Sequence, residues 1–181
     1  MRNMKTLYIS GYRSFELGIF KETDPKITII KKALKKHLIS YIELGVEWFL
    51  VSGNLGSEYW ASQVINELKS EGYSIKLGLI TPYAEFSGNW NEANQLKFSE
   101  VEQWADYVNS VSFEPYKHPS QLKNHTRFIL DHTDGSLLVY DKEYPGKTEF
   151  ILKEIDAYLN ESDYQVDLID MFSLQDASES E

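Results

Sequence analysis

The 181-residue sequence contains no cysteine. Disulfides and thiolate chemistry are therefore excluded, and a reducing cytoplasm is the expected compartment. Histidine is scarce: His37, His118, His125 and His132 stand at no metal-ligand spacing, so no structural metal is expected. A carboxylate magnesium site would need help from a ligand phosphate. Positive charge is in deficit, with 18 Lys and Arg against 28 Asp and Glu and a net charge of −10. A field of that sign opposes nucleic acid and anionic membranes, so neither is expected as a partner. No apolar run approaches the ~20 residues that cross a bilayer, and membrane insertion is not expected. MRNMKTLYIS enters a strand-like pattern directly, without the apolar core of a signal peptide. The phosphate loop ending in GK[ST], the GxGxxG fingerprint and the GxSxG elbow are all missing.

What is present is an alternation of strand-like and helix-like stretches, about six times over. Strands are expected at Lys5–Ser10, Trp48–Val51, Ser74–Ile80, Asp106–Val111, Ser136–Asp141 and Tyr164–Ile169, the last alternating like an edge strand. Between them, apolar residues recur at helical spacing, as Ile27, Ile30, Leu34, Leu38 and Tyr41 do. Phe15, Leu17, Ile19 and Phe20 are too apolar for a free loop and should pack as a flap or short helical turn. This pattern implies an α/β fold: a three-layer Rossmann-like sandwich around a mostly parallel sheet of about six strands. Residues 1–170 are expected to form one domain and residues 171–181 an acidic tail, whose last stretch QDASESE should be disordered. A dinucleotide-type strand order, 3-2-1-4-5-6, would bring the ends of strands one, two and four to the switch point where ligands bind.

The stretch from Glu47 to Trp60, EWFLVSGNLGSEYW, organises the rest. A short buried strand breaks into Ser52-Gly53-Asn54-Leu55-Gly56-Ser57, and a helix follows. Glycines permit sharp turns and close approach to a ligand, and the free amides of a first helical turn suit phosphate. Gly53, Asn54 and Gly56 are therefore candidates for phosphate approach. Two glycines in a strand-to-helix loop also serve ordinary turns. Glu58, in the first helical turn, complements the helix dipole; as a functional group it would accept from a ribose or act as a general base, making it the one catalytic candidate. Gly11 ends the first strand and Arg13 follows, a second corner where a guanidinium could pair with phosphate or carboxylate, although a surface Arg after a turn is the plainer reading. Trp90, in the polar loop after strand three, would stack on a ligand ring or anchor its loop.

Taken in order, GYRSFELGIF, EWFLVSGNLGSEYWA, LITPY with Asn89-Trp90, and DGSLLVYD resemble the YpsA family of Firmicutes, within the Rossmann-like SLOG superfamily. The resemblance covers nearly the whole chain, to about Ile169. It implies a SLOG-like Rossmannoid domain and a nucleotide-derived ligand at the strand-two glycine loop. Gly53, Gly56 and Glu58 match the superfamily's glycine–acidic pattern; Ser10, Gly11 and Arg13 match its first-strand corner. The superfamily includes the Lonely-guy phosphoribohydrolases and the DNA-processing protein DprA. The loop here is SGNLGSE, without the double glycine of the Lonely-guy PGGxGT, a departure that weighs against the phosphoribohydrolase reaction. The resemblance also implies a link to cell division and stress responses. The expectation is thus a cytoplasmic sensor or regulator that binds an ADP-ribose-like or NAD-like compound, with cell-division proteins as candidate partners. Nucleotide N-glycosidic cleavage is the alternative. A homo-oligomer could form through an apolar helix face, although core burial explains the same residues.

Overall fold

The computed structural model describes residues 3–159 and 163–180. Six parallel strands form one sheet: β1 (Thr6–Gly11), β2 (Trp48–Val51), β3 (Lys76–Thr81), β4 (Tyr107–Ser110), β5 (Gly135–Val139) and β6 (Gln165–Ile169), in the order β4-β3-β2-β1-β5-β6. The α/β sandwich expected from the alternation is present. The dinucleotide-type order is not. The chain keeps moving outward through β4 before it reverses, so β1 and β5 flank the switch point and β4 lies at the far edge. The reason lies in the strands' own residues. Tyr107, Val108 and Asn109 are exposed and suit an edge, whereas GSLLV is buried throughout and needs neighbours on both sides.

Each helix lies on the face that right-handed crossovers dictate. Helices α1 (Pro25–Glu43), α2 (Ser57–Ser70) and α3 (Glu92–Trp104) follow β1, β2 and β3 and pack side by side. Helices α4 (Ser120–Asp131) and α5 (Thr148–Leu159), which follow β4 and β5, pair on the opposite face. Leu7, Ile9, Phe49, Val51, Leu77 and Leu79 build the core under the first set, and Tyr8, Leu50, Ile80 and Ile129 the smaller core under the second. Alternation along β1 to β3 sends successive side chains to these two cores. The lysine-rich face of α1 is tied to α2 by Lys31–Glu67 and Lys35–Glu71.

Residues 14–17 form a single 3-10 turn that buries Ile19 while Phe15 and Phe20 stay exposed. The short helical turn offered as one alternative is thus present, packed on one side only. The disordered tail is corrected outright. Residues 171–179 form α6 (Met171–Glu179), capped by Asp170, with Met171, Leu174 and Ala177 facing the core beside α1. Acidic composition suggested disorder, but apolar residues three apart give the segment one buried stripe. No helix among the described residues is long and apolar enough to cross a membrane.

Candidate functional site

The loop after β2 is held by one carboxylate. Glu58 is 2 % exposed. It accepts from the Ser52 amide (2.5 Å), the Asn54 side-chain amide (2.8 Å) and the Ser10 hydroxyl (3.1 Å). Burial pushes its carboxyl above the ordinary range, while Arg13 and these three donors pull the other way. Glu58 thus ties the ends of β1 and β2 to the first turn of α2. Ser52 also meets the Tyr8 hydroxyl at 2.6 Å. Burial raises the Tyr8 pKa, so that phenol stays protonated, and either hydroxyl can donate in this contact.

The glycines of this region answer first to neighbouring chain. Gly56 has φ +95°, and a Cβ there would stand 2.6 Å from the Ser14 nitrogen and 2.7 Å from the Tyr12 oxygen. Gly53, also at φ +95°, lies against the Phe98 ring. The turn of residues 12–14 therefore rests on the start of α2. Ser57 seals the contact by donating its amide and hydroxyl to the Tyr12 carbonyl, at 3.0 and 2.8 Å. One of the helix's free amides is consumed by the protein itself.

At the switch point the crevice between β1 and β5 is filled on one side. Tyr12 packs on Tyr140 at 5.2 Å, and its hydroxyl donates to the Tyr144 carbonyl (2.7 Å). Glu16 accepts from the Arg13 amide (2.8 Å) and from the Lys147 amide ahead of α5 (2.9 Å). Beside this plug opens a cavity of about 1090 Å³, above the carboxyl ends of β1, β2 and β3. Arg13, Ser52, Asn54 and Gly56 line it from the two glycine corners. Tyr83, Phe86 and Trp90 line it from the segment after β3, and residues of α4 and α5 close the far wall.

Of the residues singled out from sequence, Arg13, Asn54, Gly56 and Trp90 reach this cavity. Gly11, Gly53 and Glu58 lie behind its wall: Gly11 against Val139, Gly53 against Phe98, and Glu58 among its three donors. Trp90 both lines the cavity and anchors its loop, edge-on to Phe86 (5.4 Å) and Phe98 (5.8 Å).

Sequence reasoning found Arg13 but missed the other cations. Arg13, Lys21, Lys97, Lys123, Lys147 and Lys153 line the cavity against only Glu22 and Glu154. Lys97 pairs with Glu22 and Lys153 with Glu149. Lys21 and Lys123 make no ion pair among the described residues. These six come from five segments, so no local charge run announces them. His125 was also missed, although a signal existed. It falls on the apolar stripe of α4 with Leu122 and Ile129, where a polar residue is out of place. It is buried and its Nε2 stands 2.8 Å from the Ile80 carbonyl oxygen. Among the described residues no cluster of His, Asp or Glu could hold a metal ion.

Comparison with known proteins decides the family. The model of the YspA SLOG family (YpsA) matches residues 7–174. The chain belongs to this family. It is 55 % identical over 177 residues to a UPF0398 protein of Enterococcus faecalis, covering 98 % of both chains. A UPF0398 protein of Ligilactobacillus salivarius is 46 % identical over 173 residues, covering 96 % of this chain and 94 % of its own. One from Listeria welshimeri is 45 % identical over 176 residues, covering 97 % of each. The family match takes in β2 to β6, all of β1 but Thr6, and every cavity-lining residue named above.

Proposed function

We propose that this family member binds an anionic, nucleotide-derived ligand in the cavity above β1, β2 and β3, and acts in the cytoplasm as a sensor or regulator. The observation that carries this reading is the sign of the cavity wall. A chain of net charge −10 gathers six cations against two carboxylates around one opening. Concentrating positive charge where the whole molecule is negative costs self-repulsion, which a bound anion relieves. Tyr83, Phe86 and Trp90 supply ring faces for a base, and Arg13 and Asn54 supply side-chain donors for phosphate. An ADP-ribose-like or NAD-like compound combines both chemistries. A sensor of this kind would pass its ligand state to a protein partner, with cell-division proteins as the candidates.

Calorimetry with a panel of mono-, di- and dinucleotides tests the reading. Variants should be chosen from the wall, not the frame. Gly53→Ala would strike Phe98, and Glu58→Ala would strip the loop of its anchor, so lost binding in either would report folding. Lys123→Glu leaves the frame intact, whereas Arg13→Gln also removes a cation that favours the Glu58 carboxylate, so its effect is read beside a folding control. Saturable binding by a phosphorylated nucleotide, weakened at least about tenfold by Lys123→Glu, is the expected result. No binding across the panel, or binding indifferent to both changes, sinks the proposal. The N-glycosidase alternative requires Glu58 to reach a reacting centre, but its carboxylate is enclosed by three donors behind the wall. Release of free base from the same nucleotides, followed by chromatography, decides that point.

A further inference from the structure

One group on the cavity wall serves neither the loop frame nor the cationic ring. His125 is 7 % exposed and its Nε2 lies 2.8 Å from the Ile80 carbonyl oxygen. A carbonyl only accepts, so Nε2 carries the proton. Burial also keeps the ring neutral, lowering its pKa to about 4. A neutral imidazole protonated at Nε2 bears a bare lone pair on Nδ1. Nδ1 has no hydrogen-bond partner among the described residues. Nor is it among their fully enclosed polar side-chain atoms without a partner, of which Thr148 Oγ1 is the one example. It therefore retains open surface, and the space that this residue lines is the cavity.

Position and chemistry then combine. The Ile80 carbonyl holds His125 at the end of β3, and His125 shares the cavity wall with Tyr83, Phe86 and Trp90, which follow that strand. The ring system of a nucleotide would lie against this aromatic wall. The surrounding wall is rich in donors, since all six cations only donate. Nδ1 is a fixed acceptor among them, and at neutral pH it does not become a donor.

We propose that His125 is a specificity-determining residue whose Nδ1 accepts an N–H of an exocyclic amine on the ligand's base, so that the cavity prefers amino-bearing to oxo-bearing nucleotides. This rests on the nucleotide reading given above. An oxo group in the same place would set two acceptors against each other, and a buried mismatch of that kind is rejected more strongly than a missing contact.

Calorimetry of AMP, ADP and ADP-ribose against their hypoxanthine counterparts, each pair at one phosphate state, tests the proposal. The adenine member should bind on the order of tenfold tighter, and His125→Phe should abolish the gap while phosphate dependence persists. Equal affinity for the two bases in the wild-type protein, or a gap that survives His125→Phe, overturns this inference and leaves the anionic site standing. Absence of binding by every compound overturns both. Phenylalanine leaves the Ile80 carbonyl unpaired, so a second measurement uses the wild-type protein. Nitrogen-15 NMR at pH 7 should find the His125 ring protonated on Nε2, with the Nδ1 resonance displaced by the adenine nucleotide and not by its hypoxanthine partner. A proton on Nδ1, or an Nδ1 resonance unmoved by saturating adenine nucleotide, refutes it.

Discussion

Buried against the Ile80 carbonyl, His125 resists protonation in the folded chain and accepts it freely once unfolded. Its pKa falls from 6.5 to about 4, chiefly through burial. Between those values the unfolded chain binds the extra proton, so stability from this residue is complete above pH 6.5 and is lost as pH falls toward 4. At pH 4.5 the loss amounts to about 2 to 3 kcal/mol. Urea midpoints at pH 7.5 and 4.5 should therefore drop further in the wild-type protein than in His125→Gln. Asp106 and Asp170, whose lowered pKa values also favour the folded state above the carboxylate range, titrate alike in both proteins and cancel in the comparison. An equal drop in the two would exclude His125 as the source. Glu58 illustrates what one residue's chemistry does not disclose. An acidic residue in a first helical turn is readable from sequence, but its enclosure by Ser10, Ser52 and Asn54 depends on two strand ends meeting. The same holds for Gly53 and Gly56, whose positive φ was foreseeable while Phe98 and the Tyr12–Ser14 backbone as their neighbours were not.

Elements were legible where periodicity was long and the partner did not matter. All six strands and the five crossover helices lie close to the residues that the pattern assigns. Strand order was not legible from periodicity, although the exposed β4 and the wholly buried β5 contain its reason. The final helix shows the opposite failure, where composition outweighed pattern. Asp170 caps α6 by accepting from the Ser173 amide at 2.8 Å, and the Met171, Leu174 and Ala177 stripe holds it beside α1. Asp170→Ala removes that cap and should cost about 1 kcal/mol. Hydrogen exchange gives the local measurement. Amides of residues 174–178 should exchange several-fold faster than in the wild-type protein, while those of β1 and β5 keep their rates. Uniform acceleration through the sheet would mean that α6 is integral to the global fold, and unchanged exchange in α6 would mean that the cap is irrelevant.

At the scale of the whole molecule, charge is sorted by place. The cavity wall is cationic, so the remainder of the surface carries more negative charge than the net −10 indicates. An approaching nucleotide is repelled by most of the surface and attracted only near the opening. Salt acts on both fields, but it acts most on exposed, distant charges and least on those facing each other within the cavity. The equilibrium affinity reports the short-range attraction, which at about 0.5 M salt is screened beyond ~4 to 5 Å. Raising salt from about 50 mM to 500 mM should therefore weaken binding of a diphosphate nucleotide by on the order of tenfold. The corresponding uncharged nucleoside, which uses only the aromatic wall and His125, should be almost insensitive. Lys123→Glu removes one cation and adds an anion at the opening, so it should flatten the nucleotide's salt dependence as well as lower its affinity. Matching salt slopes for nucleotide and nucleoside would mean that the cations do not face the ligand. The acidic exterior would then dominate the field that the ligand meets, and the reading of the cavity as an anion site would fall.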